Sequence, residues 1–233
     1  MSALDSQFVL MTGGARNTSD AATRDRYHHG NLREVLIDEA MQLAREGGPD
    51  AVIVREASRR VGVSHNAAYR HFPDRDALLR AVGERCMRRL AELMQELIAE
   101  VDPSDASAEA AAARLRATGV AYVRFALNEP GLFRTGFAAA GHPEPQPPAG
   151  HGEGEPGPLQ LLSAQLDGLL HAGGMAPELR PYAEFAAWSA VHGFSMLLLD
   201  GPLRELPALE REAALNRTLE TVERGLRARS PPR

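Results

Sequence analysis

Two short apolar stripes at helical spacing, joined by Gly62-Val63-Ser64, organise the segment from Val54 to Phe72. Val54, Ala57, Ser58 and Val61 recur every three or four residues and define one inward face, with Arg55, Glu56, Arg59 and Arg60 on the other side. Gly62 suits the left-handed conformation that commonly ends a helix, and Val63 can plug the angle that follows. Ser64 is placed to cap a second helix that begins at His65 and is stopped by Pro73. On that helix Ala67, Ala68 and Phe72 face inward. His65, Asn66, Tyr69, Arg70 and His71 are left outward.

The same periodicity predicts further helices on both sides. One starts at Asn31, with Glu34 completing a capping box, carries Leu32, Val35, Leu36, Ala40 and Leu43, and ends at Gly47-Gly48-Pro49. Asp74 caps a long helix from Arg75 to about Glu100. Others are expected over 106–128, 129–139, 158–171, 178–199 and 207–226, about nine in all, with no strand pattern. Between them, 141–158 (GHPEPQPPAGHGEGEPGP) has no large apolar residue and is expected to be a disordered loop. The fold class is therefore all-α. Its expected divisions are an arm over 1–26, a three-helix helix-turn-helix unit over 27–74, and a helical bundle over 75–229.

An outward face with an aromatic, two histidines, an amide and an arginine matches the chemistry of base edges and phosphates. Arg pairs with guanine, Asn with adenine, and an aromatic edge packs on a thymine methyl. A solvated face on an ordinary three-helix domain is the alternative reading. Charge favours the former. Over 24–90 there are 13 Arg and 10 acids, a net +3, whereas the rest of the 233 residues holds 13 Arg and 21 acids, a net −8. The overall −5 conceals that division, and phosphate contacts respond to local charge.

Over Tyr27 to Leu90 the chain resembles the N-terminal domain of TetR-family transcriptional repressors. The resemblance rests on GVS at 62–64, YRHF at 69–72 and the Asp76-Ala77-Leu78-Leu79 start of the next helix. It implies double-stranded operator DNA as partner, with Arg55, Ser64, His65, Asn66, Tyr69, Arg70 and His71 at the major groove and Arg75 on a phosphate. Tyr27 and His28 are added to these contacts. For the His28-His29 pair, phosphate contact is preferred to metal binding. Arg75 stands where the family usually has Lys. Ile53 occupies a position often taken by a capping Ser or Thr, which predicts a frayed start to that helix. Asn66, replacing a common Ala or Pro, is the favoured specificity determinant.

In the second half, Trp188-Ser189-Ala190-Val191-His192-Gly193 and FALNEPGLFRTGF are similar to a C-terminal domain type named for Trp-His-Gly. At 100° per residue, Phe185, Trp188, His192, Met196 and Leu199 fall on one side of the 178–199 helix, and Ala183, Ala187, Ala190, Phe194 and Leu197 fall opposite. Two apolar sides call for two partners, the chain's own bundle and a second copy. Ala183, Ala187, Ala190, Phe194 and Leu197, with Leu215, Leu219 and Val222, are thus the expected homodimer interface. Family resemblance further implies a cavity for a small-molecule inducer of unknown identity. Tyr122, Phe125, Phe133, Phe137, Trp188, His192 and Met196 are its candidate walls, although core packing explains each of them as well.

Nothing in the chain supplies a nucleophile with its base, a metal cluster or a nucleotide loop, so no enzyme activity, metal or cofactor is expected. Cys86 has Arg85 and Arg88 nearby, which would lower a thiol pKa, but there is no second cysteine to partner it. A single cysteine, no apolar run of ~20 residues and no leader pattern fit a cytoplasmic protein with no membrane partner. The expected function is a ligand-released homodimeric repressor. A constitutive or protein-regulated repressor whose second domain only dimerises is the alternative.

Overall fold

The structure, a computed structural model, describes residues 32–140 and 155–227. Within them the chain forms nine α-helices: α1 Leu32–Gly47, α2 Val54–Val61, α3 His65–Tyr69, α4 Arg75–Ala99, α5 Ala108–Asn128, α6 Pro130–Ala140, α7 Pro158–His171, α8 Ala183–Leu199 and α9 Ala208–Leu226. Short 3-10 turns at Gly48–Ala51 and Pro177–Leu179 complete the path, and the described residues contain no strand. The all-α class and the number of helices agree with the sequence pattern. Asn31, Tyr27, His28, His29 and most of the Pro- and Gly-rich loop lie outside the described residues.

Caps explain several of the boundaries. The Ser64 hydroxyl accepts from the Ala67 amide at 3.2 Å, Asp74 from Ala77 at 2.7 Å, and Ser107 from Ala110 at 3.1 Å. Each satisfies a donor that an opening helix turn leaves unpaired. Gly62 adopts φ 78°, and its amide reaches the carbonyls of Ser58 and Arg59, closing α2 in the left-handed manner its sequence suggested. Ile53 is extended and gives α2 no side-chain cap, yet α2 begins at Val54. Glu56 in its first turn complements the positive helix terminus.

Two boundaries differ from the pattern. The reading helix is short, five residues, and turns at Arg70 and His71 before Pro73 is reached. The helix expected from Glu178 starts at Ala183, because Pro181 interrupts and Tyr182 takes a left-handed φ of 63°.

One apolar cluster runs from Leu32 and Leu36 through Ala57, Ala68 and Phe72 into Leu78, Val82 and Leu90, and on to Tyr122, Phe133 and Phe194. The three-helix head and the body therefore share buried surface through α4. A second cluster, with Leu115, Leu162, Leu166, Leu169 and Leu226, ties α7 and α9 to α5. In the body α4 packs most extensively on α6 and α5, while α8 lies on α5 and α9.

Candidate DNA-reading surface and internal cavity

The head exposes what the pattern assigned to solvent. Ala68 and Phe72 are buried, and His65, Asn66, Tyr69, Arg70 and His71 are exposed together on α3 and the turn after it. Arg55 is exposed on α2. Among the described residues the side chains of Arg55, Asn66, Arg70 and His71 enter no hydrogen bond or ion pair. The His65 and Tyr69 rings pack on each other at 4.5 Å, one helical turn apart.

Nearby cations behave differently. Arg60 pairs with Glu46 at 2.7 Å, Glu56 at 3.1 Å and Glu39 at 3.3 Å, and Arg59 reaches Glu56 at 2.6 Å. Hydrogen bonds first from Arg59 and then from Arg60 hold the Glu56 carboxyl down at about 2. Arg33 lies over the Phe72 ring, 5.4 Å from its centroid. Of the head's arginines, those left without an anion include Arg55 and Arg70, the two that flank the turn.

Arg75 departs from expectation. Its Nη2 donates to the Pro49 carbonyl at 2.6 Å and its Nε to Val52 at 3.2 Å, with Asp50 at 3.6 Å. These bonds staple the start of α4 to the 3-10 turn after α1. The guanidinium expected to clamp a phosphate is largely committed inside the head.

In the body, α4 to α9 enclose a cavity of about 660 Å³. Tyr122, Phe137 and Trp188 line it as the sequence suggested, but the other proposed walls do not. Phe125 and Phe133 are buried in packing, Met196 is 36% exposed on the outside, and His192 stands behind Tyr122. Phe185, Arg80, Glu84 and Gln160 also reach the wall, and much of the remainder is aliphatic: Leu90 and Met94 from α4, Leu115 from α5, Leu162 from α7, and Val191 from α8. Those residues carry the ordinary apolar stripes of their helices, so periodicity alone does not separate them from solid core.

The Trp188 indole N–H donates to the Tyr122 hydroxyl at 3.1 Å, and that hydroxyl lies 2.8 Å from His192 Nδ1. Burial lowers the His192 pKa and raises that of Tyr122, so both stay neutral near pH 7 and the phenol can donate to the imidazole. Among the other polar side chains of the wall, Arg80, Glu84 and Gln160 are exposed and enter no hydrogen bond or ion pair with described residues, whereas the more buried ones are paired. Arg116 binds Glu223 and Asn216, each at 2.9 Å, and the Thr118 hydroxyl donates to the Leu115 carbonyl at 2.7 Å.

Most of the residues expected at a dimer face are turned into the protomer. Ala183, Ala187, Phe194 and Leu219 are buried within the protomer, and Ala187, Leu219 and Val222 line the cavity. Ala190 and Leu215 are half-buried, which leaves Leu197 as the exposed member of the set. The outer side of α8 is instead a stripe of Phe185, Ala186, Ser189, Gly193, Met196 and Leu197, about a quarter turn from both sides proposed from sequence. Cys86 is corrected as well. It is fully buried beside Met41, and desolvation pushes its thiol up to about 12, so the nearby arginines do not activate it.

An exposed polar helix behind a glycine turn, carried on an all-helical body with a cavity, defines a helix-turn-helix DNA-binding regulator. The chain belongs to the TetR family: residues 36–82 match the model described as bacterial regulatory proteins, tetR family, and 115–222 match the tetracyclin repressor-like C-terminal domain. Comparison with curated proteins gives no match. Among solved structures it is similar to a protein of unknown function from Rhodococcus sp. RHA1, at 29% identity and TM-score 0.70, covering 87% of this chain and 98% of that one. A TetR-family transcriptional regulator from Pectobacterium atrosepticum shares the fold at 21% identity and TM-score 0.60, covering 89% and 99%. So does a TetR variant from Acinetobacter baumannii AYE in complex with minocycline, at 20% identity and TM-score 0.55, covering 82% and 93%. No helix among the described residues is long and apolar enough to cross a membrane.

Proposed function

We propose that this chain is a ligand-responsive transcriptional repressor of the bacterial cytoplasm, binding a palindromic operator as a homodimer and released when a small molecule fills the body. One observation carries the reading: the helices that wall the cavity are also those that hold the head. Gly83, Met87, Leu90 and Met94 of α4 line the cavity, while Arg75 at its start is bonded to the 3-10 turn of the head. Gly136 and Phe137 of α6 line it too, and beside the other end of α6 Glu129 pairs with Arg45 of α1 at 3.0 Å. A ligand that prefers one setting of α4 and α6 thus biases the placement of both reading helices. Operator affinity falls by its differential affinity for the two settings. The minocycline complex of the Acinetobacter protein supports a protein of this fold binding a small molecule.

The dimer is assigned to the outer stripe of α8. Phe185, Leu197 and Met196 are 49%, 43% and 36% exposed there, with the small Ala186, Ser189 and Gly193 between them. Leu209 on α9 is a further exposed apolar side chain, at 83%. A Leu197→Glu change should yield a folded monomer by analytical ultracentrifugation and abolish tight operator binding, since each protomer then holds one half-site. A variant that stays dimeric would move the interface elsewhere. The whole reading is tested by selecting DNA from a random pool and measuring anisotropy. An inverted repeat with half-sites about one helical turn apart is expected; no preference among sequences at low salt overturns it.

A further inference from the structure

Resting on the cavity as the effector site, we infer that its ligand is an uncharged, mainly apolar molecule with one hydrogen-bonding group, seated against the Tyr122 hydroxyl. The charges at the wall cancel. Arg116 is neutralised by Glu223, and Arg80 and Glu84 are exposed one turn apart on α4. No buried side-chain nitrogen or oxygen among the described residues lacks a partner. An ionised ligand would lose its hydration and find no buried counter-charge to replace it, since the charges of the wall that lack an ion pair, Arg80 and Glu84, are opposite in sign and exposed to solvent, whereas an apolar body meets Leu90, Met94 and Leu162. Tyr122 is buried at the wall and has hydrogen-bonding capacity to spare. A phenol has one proton and two lone pairs; with His192 protonated on Nε2, the phenol proton goes to Nδ1 and one pair receives the Trp188 N–H, leaving one pair to accept from a ligand N–H or O–H. Because Trp188 is the chain's sole tryptophan and lines the cavity, its emission reports on occupancy directly.

Two probes with one ring skeleton test this on the full-length protein: N-phenyl-1-naphthylamine, neutral with a single N–H, and 8-anilinonaphthalene-1-sulfonate, which adds a fixed anion. The neutral probe should bind saturably, one per chain, with quenching of Trp188 and at least tenfold tighter than the sulfonate. Tyr122→Phe should weaken it about threefold or more with the circular dichroism unchanged, and Glu109→Gln, exposed at the start of α5 and away from the cavity lining, should leave it as it was. Equal or tighter sulfonate binding, or a neutral-probe signal that neither saturates nor quenches Trp188, overturns the assignment. Operator anisotropy in the same samples separates the two claims. Tight sulfonate binding that releases DNA removes the ligand class but keeps the effector site; neutral-probe binding that leaves DNA bound does the reverse.

Discussion

The reading head and the cavity use polar side chains in opposite ways. On α3 and beside it, Arg55, Asn66, Arg70 and His71 are exposed and without partners among the described residues, a set of donors and acceptors awaiting an external one. Around the cavity, Tyr122, Trp188 and His192 are bonded to one another, Arg116 to Glu223 and Asn216, and Thr118 to backbone, and the remaining surface is largely hydrocarbon. A surface of the first kind selects by hydrogen-bond pattern and charge. One of the second kind selects by shape and by the absence of charge, since an unmatched ion in it would be expensive.

The largest effects should come from removing exposed groups of the reading surface. Arg55→Ala, Arg70→Ala and Tyr69→Ala are each expected to cost about 1–3 kcal/mol of operator affinity, the range for a good base contact, with dimerisation intact. Arg59→Ala should change affinity only a few-fold, because Glu56 already engages that guanidinium. Anisotropy titrations with the selected operator check the ordering. Equal losses for Arg59 and Arg55 would mean that pairing within the head does not decide which cations read DNA.

Next in size is the joint between the two regions. A Cβ on Gly131 would fall onto the Ala44 and Arg45 carbonyl oxygens at the end of α1, backbone atoms that cannot turn aside. Gly131→Ala should therefore push α6 from the head and cost about 1–3 kcal/mol of stability, the usual penalty of overpacking. Denaturant unfolding measures that loss. If α6 carries the coupling, the same variant binds small molecules as before but responds less to them in DNA release.

Legibility from sequence divides along the same line. Ser64, Gly62 and the inward Ala68 and Phe72 were readable because caps, left-handed turns and helical spacing are local properties, decided within a few residues. The rotation of α8 was not. Its sequence is apolar nearly all round, so spacing alone could not say which third of the surface meets α5 and α9, and the true outer stripe falls between the two sides it suggested. Cavity walls were hidden for a related reason: Leu90 and Met94 look the same to a periodic pattern whether another side chain or empty space lies opposite. The internal bonds of Arg75 were hidden for another reason: its carbonyl partners at Pro49 and Val52 are more than twenty residues away in the chain.

A smaller effect is expected from pH at the cavity. Burial lowers the His192 pKa below its ordinary 6.5, so the unfolded chain takes up that proton more readily than the folded one. The stability contributed by the neutral ring is complete above pH 6.5 and declines as the pH falls from there toward the lowered folded value. His192→Gln, which retains a hydrogen-bonding group for Tyr122, should flatten the fall in melting temperature between pH 7 and 5. Superimposable pH profiles for the two proteins would show that the ring is not held neutral by its surroundings.

The smallest predicted change sharpens the head's side of the contrast. Glu56 is the carboxylate shared by Arg59 and Arg60, and its depressed pKa means that it stays charged throughout the neutral range. Glu56→Gln keeps the side chain's size while releasing Arg59, which has no other anion; Arg60 retains Glu46 and Glu39. One freed cation beside the reading surface should strengthen binding to non-operator duplex a few-fold and steepen its dependence on salt by about one unit of log–log slope. Discrimination between operator and non-operator DNA should narrow slightly, because the added contact is to phosphate and carries no sequence information. An unchanged salt slope would place Arg59 away from the bound duplex, and the sorting of head cations by their internal partners would then rest on Arg55 and Arg70 alone.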